Sequence, residues 1–113
     1  EIVYDTSKNF IIDHPDDKDK YLIHACLEGP EAGVYYRGID TTNDNSECLI
    51  HIPPYASKIA REWTMFTTPK GKFCHMYNDQ ITFNEFLVKS SIPNVNFNWV
   101  LFGKRLDIKK LIK

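Results

Sequence analysis

Two groups of side chains in this sequence carry chemistry that can be weighed. Asp13 and His14 are adjacent, His24 follows further on, and Glu28 and Glu31 come just after it. Carboxylates and imidazoles in such company serve as general acids and bases or as metal ligands. The spacing matches neither use: there is no HExxH pair, and His14, His24, His51 and His75 stand on separate segments without a partner at ligand spacing. Asp13 reads as a turn cap and His24 as a core or interface histidine. Cys26 stands two residues after His24, which on a strand puts both on one face, the arrangement of a thiol nucleophile and its base. Ala25 and Leu27 make that run apolar, so core packing is the stronger reading. Ser7, Ser46, Ser57, Ser90 and Ser91 lack a GxSxG setting, and the glycines form neither a GxGxxG nor a P-loop. No catalytic residue, metal site or cofactor is expected.

The second group suits recognition. Tyr35 and Tyr36 precede Arg37, and aromatic rings beside a guanidinium make a platform for a sugar or a peptide, although packing accounts for them equally. Asn96 and Asn98 share one face of a strand whose other face is apolar, and they extend the same list of weak ligand-binding candidates.

These residues belong to a chain of 113 residues with 42% hydrophobic and 26% charged side chains. Those values suit one folded domain and argue against bulk disorder. The aromatic share of 13% needs a core, a partner surface, or both. A formal net charge of −1 lacks the basic excess that phosphate neutralisation demands, so no nucleic-acid partner is expected. The exception is the tail Lys104, Arg105, Lys109, Lys110 and Lys113, which reads as a solvated terminus. Cys26, Cys48 and Cys74 are odd in number, form no CxxC pair and read as buried free thiols, which favours assembly in a reducing compartment. No apolar run nears the ~20 residues that span a bilayer, so no membrane insertion is expected. The chain starts at Glu1 instead of Met and carries no signal peptide, as a piece of a longer protein would.

Short apolar and β-branched runs recur between turn clusters. Strands are predicted over 2–4, 10–12, 21–27, 34–39, 48–52, 63–68, 73–77, 81–88 and 95–102, with loops at 13–20 and 40–47. A hairpin turn is predicted at Asn78-Asp79 and another turn over 69–72. One helix is predicted over 55–62, where Pro54 can begin it and Tyr55, Ile59 and Trp63 recur at helical spacing. In the last strand Val95, Phe97, Trp99 and Leu101 share a face, which puts Phe97 and Trp99 in the core. Beyond Val100 and Phe102 both faces turn apolar, predicting cover on both sides. The fold class is all-β, mostly antiparallel, a β-sandwich or small barrel with one short helix, in a single domain over 1–113.

One stretch is more distinctive. Phe10-Ile11-Ile12-Asp13-His14-Pro15, a polar loop, then Lys20-Tyr21-Leu22-Ile23-His24, Glu28-Gly29-Pro30-Glu31 and Tyr35-Tyr36-Arg37-Gly38 resembles a domain near the C-terminus of fibre-like surface proteins of large DNA viruses, phages and bacteria. The segments Ile50 to Tyr55, Trp63 to Pro69 and Asn94 to Arg105 are similar to later pieces of that family, so the likeness covers roughly 8–108. It implies a non-enzymatic head domain of a virion-surface fibre, extracellular after release, that organises a homotrimer, attaches to a host receptor or glycan, or both. It supplies no catalytic residue. Within the motif, Asp13, His14, Pro15, Tyr21, His24, Glu28 and Glu31 read as structural: Asp13 fastens the polar loop as an Asx-type turn, Tyr21 anchors it, and Glu28 and Glu31 hold Arg37 or backbone N–H groups. The rivals are a self-cleaving or chaperone-like terminal module using Asp13, His24, Cys26 and Glu28, and a plain glycan-binding module using Tyr35, Tyr36, Arg37 and the Asn-bearing face of the last strand.

Overall fold

A computed structural model describes the backbone at residues 3–4, 9–25 and 32–106, and the side chains at 13–20 and 32–106. In chain order the elements are β1 (Val3–Tyr4), β2 (Asn9–Asp13), β3 (Tyr21–Ala25), β4 (Gly33–Thr41), β5 (Glu47–His51), α1 (Ala56–Ile59), β6 (Ala60–Lys70), β7 (Met76–Thr82), β8 (Glu85–Ser90) and β9 (Asn96–Arg105). They form three three-stranded sheets ordered β1-β2-β3, β4-β9-β6 and β5-β8-β7. The pairs β1·β2, β2·β3, β5·β8 and β7·β8 are antiparallel. The fold is mostly antiparallel β with one short helix, and among the described residues no sheet closes into a barrel. The chain divides into two compact units, one of residues 1–35, 55–63 and 102–113, the other of 36–54 and 64–101.

In the first unit β2 and β3 pair from Asn9↔Ala25 to Asp13↔Tyr21, and the polar loop closes their end. His14 N donates to Lys20 O at 2.9 Å, Asp16 N donates to His14 Nδ1 at 3.1 Å, and Asp19 N donates to Asp17 Oδ1 at 3.0 Å. The Asx turn is thus made by Asp17 within the loop, four residues after Asp13, whose own side chain is exposed. Lys58 on α1 pairs with Asp16, and the His14 ring meets Tyr55 edge-on at 5.0 Å, so the helix and the loop are fastened together. Among the described residues of this unit, Val34, Ala56, Ile59 and Ala60 are buried and apolar.

The helix ends sooner than its spacing predicts. Ile59 and Ala60 are both buried, and the backbone turns to extended at Ala60 (φ −153°) so that β6 starts there. Glu62 then takes a left-handed φ of 57°, a conformation no helix accepts. Arg105 is also buried, at 7% exposure, with its N–H donating to Ala32 O at 3.1 Å. It is therefore part of the fold, whereas Lys104 is exposed as a solvated tail residue would be; Lys109, Lys110 and Lys113 lie outside the described residues.

The second unit takes its core from Ile50, Ile52, Met65, Phe86, Val88, Val95, Phe97 and Leu101. Strand alternation explains the set: Ile50 pairs with Phe86 and Cys48 with Val88 on the inner face of β5-β8-β7. The outer face carries the rows Glu47–Lys89–Tyr77 and Leu49–Leu87–Asp79. The Glu47 carboxylate, 3.3 Å away, together with Tyr77 holds the Lys89 ammonium above its usual range. Asn78 and Asp79 sit inside β7 rather than at a turn, because Asn78 Nδ2 donates to Met65 O at 3.2 Å and Asn78 pairs with Val88. The reversal falls at Phe83-Asn84, where the Thr82 hydroxyl accepts from Asn84 N and donates to Glu85 Oε1 at 3.0 Å. Pro69 and Lys70, predicted as a turn, continue β6, which is possible because β6 is an edge strand and tolerates a missing N–H.

Thr42 ties β4 to β9 and β8. Its N–H donates to Val95 O, its Oγ1 accepts from Val95 N, and its hydroxyl shares a hydrogen bond with that of Ser90, each at 2.9 Å. At 1% exposure these groups have no water to turn to. Thr42→Val keeps the shape and removes the acceptor, leaving the Val95 N–H unsatisfied. Unfolding by denaturant is expected to show a loss of about 1–3 kcal/mol.

Candidate functional site

The sheet β4-β9-β6 presents an outer face within the second unit. Alternation puts Arg37, Ile39 and Thr41 outward on β4, and Asn96, Asn98 and Val100 outward on β9. On β6 the outward residues are Thr64, Phe66, Thr68 and Lys70. Met65 and Phe97 are buried on the opposite side. A hollow of about 580 Å³ opens on this face, lined by Arg37, Ile39, Phe66, Thr68, Asn98 and Val100 together with Gly38 and Trp99. That volume is within the ~300–1,000 Å³ range of small-molecule sites.

Trp99 fixes the sheet beneath it. A Cβ on Gly38 would lie 2.7 Å from Trp99 Nε1, so the indole rests against the glycine's backbone. Nε1 donates to Asp40 Oδ2 at 2.8 Å. The indole N–H needs an acceptor, and Asp40 is at an exposed position, which draws Trp99 out of the core to a half-buried place. The expectation of a core Trp99 is corrected on that ground, while Phe97 is fully buried as expected. Cover on both faces at the end of β9 is also corrected: Phe102 is 39% exposed and Val100 half-buried.

Of the recognition candidates, Arg37 and Asn98 line this hollow. Asn96 lies on the same face with its Oδ1 accepting from Thr41 Oγ1 at 2.6 Å. Tyr36 points to the other side of β4 from Arg37 and is half-buried, so the predicted Tyr35-Tyr36-Arg37 platform is divided by strand alternation. Tyr35 is exposed and belongs to the first unit. Phe66, Ile39 and Thr68 were missed as site residues. The alternation over 64–70 could have put Phe66 and Thr68 on one face, but the pairing of β6 with β9 is not written in local sequence.

Of the motif residues, His14 and Pro15 lie half-buried at the loop and Asp13 is exposed. Tyr21 and His24 fall on β3, where the structure describes backbone only, and Cys26, Glu28 and Glu31 lie outside the described residues. Among the described residues no group of three or more His, Cys, Asp or Glu could hold a metal ion. No described helix is long and apolar enough to cross a membrane.

Cys48 and Cys74 are free and half-buried. Burial pushes the Cys48 thiol above its usual range, and the Asp40 carboxylate pushes it further, the reverse of an activated nucleophile. The unfolded thiol ionises near pH ~8.5 and the folded one higher. As pH rises through that window, the unfolded chain sheds a proton that the folded chain keeps, so stability falls. A Cys48→Ala variant is expected to show a flatter decline in denaturation midpoint between pH 7.5 and 10 than the parent.

No family model, curated protein or solved structure matches this chain.

Proposed function

We propose that this chain is a non-catalytic recognition domain that binds a saccharide on the outer face of the sheet β4-β9-β6. The observation that carries the reading is the hollow in which Arg37, Phe66, Thr68 and Asn98 meet. A hydroxyl, an amide and a guanidinium offer hydrogen bonds to sugar hydroxyls, while the half-exposed Phe66 ring and Val100 offer an apolar surface to the C–H face of a sugar. The site is shallow and needs no movement to be reached, which suits attachment better than chemistry. The raised Cys48 thiol fits that reading, since it is poorly suited to act as a nucleophile.

On this proposal the domain is the head of a virion-surface fibre, with host attachment as its task and a homotrimer as its assembly, a reading supported by the resemblance carried by residues 10–38. Light scattering of the purified domain tests the assembly: a mass near three times 13.2 kDa supports a trimer, and one near 13.2 kDa removes it for this chain. A glycan array tests attachment. Selective retention of a saccharide class by the parent, lost in Phe66→Ala, is the expected result; an array with no retention, or with retention unchanged by Phe66→Ala, would contradict it.

A further inference from the structure

We infer that the saccharide this face takes is acidic, and that Arg37 receives its carboxylate or sulfate. The inference rests on the recognition reading above and names its substrate class. In this unit Arg37 and Lys70 are the only charged residues at outward positions of β4, β9 and β6, and no Asp or Glu stands among them. A face with two cations and no carboxylate repels nothing anionic and binds a neutral ligand with no use for either charge.

Arg37 is exposed on the wall of the hollow, and among the described residues no carboxylate forms an ion pair with it. Asp40, further along the same strand, shares the side of Gly38 and is held there by Trp99 Nε1, so it does not neutralise Arg37 across the hollow. The planar guanidinium matches the two oxygens of a carboxylate or sulfate, a fit that an ammonium lacks. Thr68 and Asn98 line the same hollow and offer hydrogen bonds to sugar hydroxyls, and the exposed part of the Phe66 ring offers an apolar surface.

A nucleic acid is the competing anion. Single-strand sites draw their affinity from many phosphates along a basic groove, and two cations on a chain of net charge −1 supply little of that. A single acidic sugar needs only one bidentate partner.

The test is isothermal calorimetry on the whole chain with lactose, 3′-sialyllactose and lactose 3′-sulfate, and with a deoxythymidine oligonucleotide as the nucleic-acid probe. The acidic sugars are expected to bind at least about tenfold more tightly than lactose, the scale of one charge-assisted contact. The gap should narrow as salt rises. Arg37→Gln should abolish the gap and leave the melting curve unchanged, since the side chain is exposed, and Arg37→Lys should keep part of it. Equal binding of lactose and its acidic derivatives, or a gap that survives Arg37→Gln, would overturn the inference while leaving saccharide recognition standing. No binding of any of the three sugars would overturn the recognition reading itself, and tighter binding of the oligonucleotide would replace both with a nucleic-acid site.

Discussion

Phe97→Ala is expected to cost about 3–5 kcal/mol, the usual range for removing a large aromatic from a core. Phe97 has no exposed surface, and its neighbours along the inner side of β9, Val95 and Leu101, are equally buried. The central position of β9 between β4 and β6 leaves that side chain no route to water and the sheet little freedom to collapse into the void. The loss is a large part of the ~5–15 kcal/mol by which a domain is normally stable. Denaturant unfolding reads it directly, with the midpoint falling and the slope unchanged. Trp99→Ala should cost less, because the half-buried indole gives up one exposed hydrogen bond and its contact with Gly38. A Trp99 variant less stable than the Phe97 variant would contradict the half-buried place of the indole beside the fully buried Phe97 on the same side of β9.

Gly103→Ala is expected to destabilise by about 1–3 kcal/mol through overpacking alone. A Cβ there would lie 2.4 Å from Trp63 Cζ3 and 2.6 Å from Cε3, closer than any real contact, and the intruded atoms belong to a stiff ring. Gly103 is itself buried, so the methyl cannot be turned away. An indole laid over a glycine on the next strand protects backbone that a side chain would otherwise cover. The cost should therefore depend on Trp63. In a double-mutant cycle, Gly103→Ala made in a Trp63→Ala background should lose most of its penalty. An equal penalty in both backgrounds would place its origin in the backbone of β9. Gly71 is the contrast: its φ of +77° demands glycine for conformation, with nothing within 4 Å of a Cβ.

These two tryptophan–glycine pairs explain what sequence reading recovers and what it misses. Runs of β-branched and aromatic residues between turn clusters are local signals, and they locate almost every strand and the buried positions Val95, Phe97 and Leu101 on the inner side of the last strand. Hydrophobic period alone placed Trp99 in the core, because period records side and not the acceptor that an indole N–H requires. The helical spacing of Tyr55, Ile59 and Trp63 suggested a helix twice as long as α1, since nothing local announces the left-handed turn at Glu62. Asn78-Asp79 looked like a turn because both residues favour turns; the tertiary hydrogen bond from Asn78 to Met65 O makes that pair strand instead. For the site, Arg37 and Asn98 were legible as polar residues on strands. Their meeting with Phe66 and Thr68 depends on the order β4-β9-β6, a long-range pairing that no window of sequence contains.

The central claim is that the outer face of this sheet is the ligand surface, and amide chemical shifts test it most directly. In a titration of the isotope-labelled chain with 3′-sialyllactose, the shifts should concentrate at Arg37, Ile39, Phe66, Thr68 and Asn98, with the paired row Glu47, Lys89 and Tyr77 on the other sheet unchanged. Shifts centred on that other row, or absent at saturating sugar, would contradict the account.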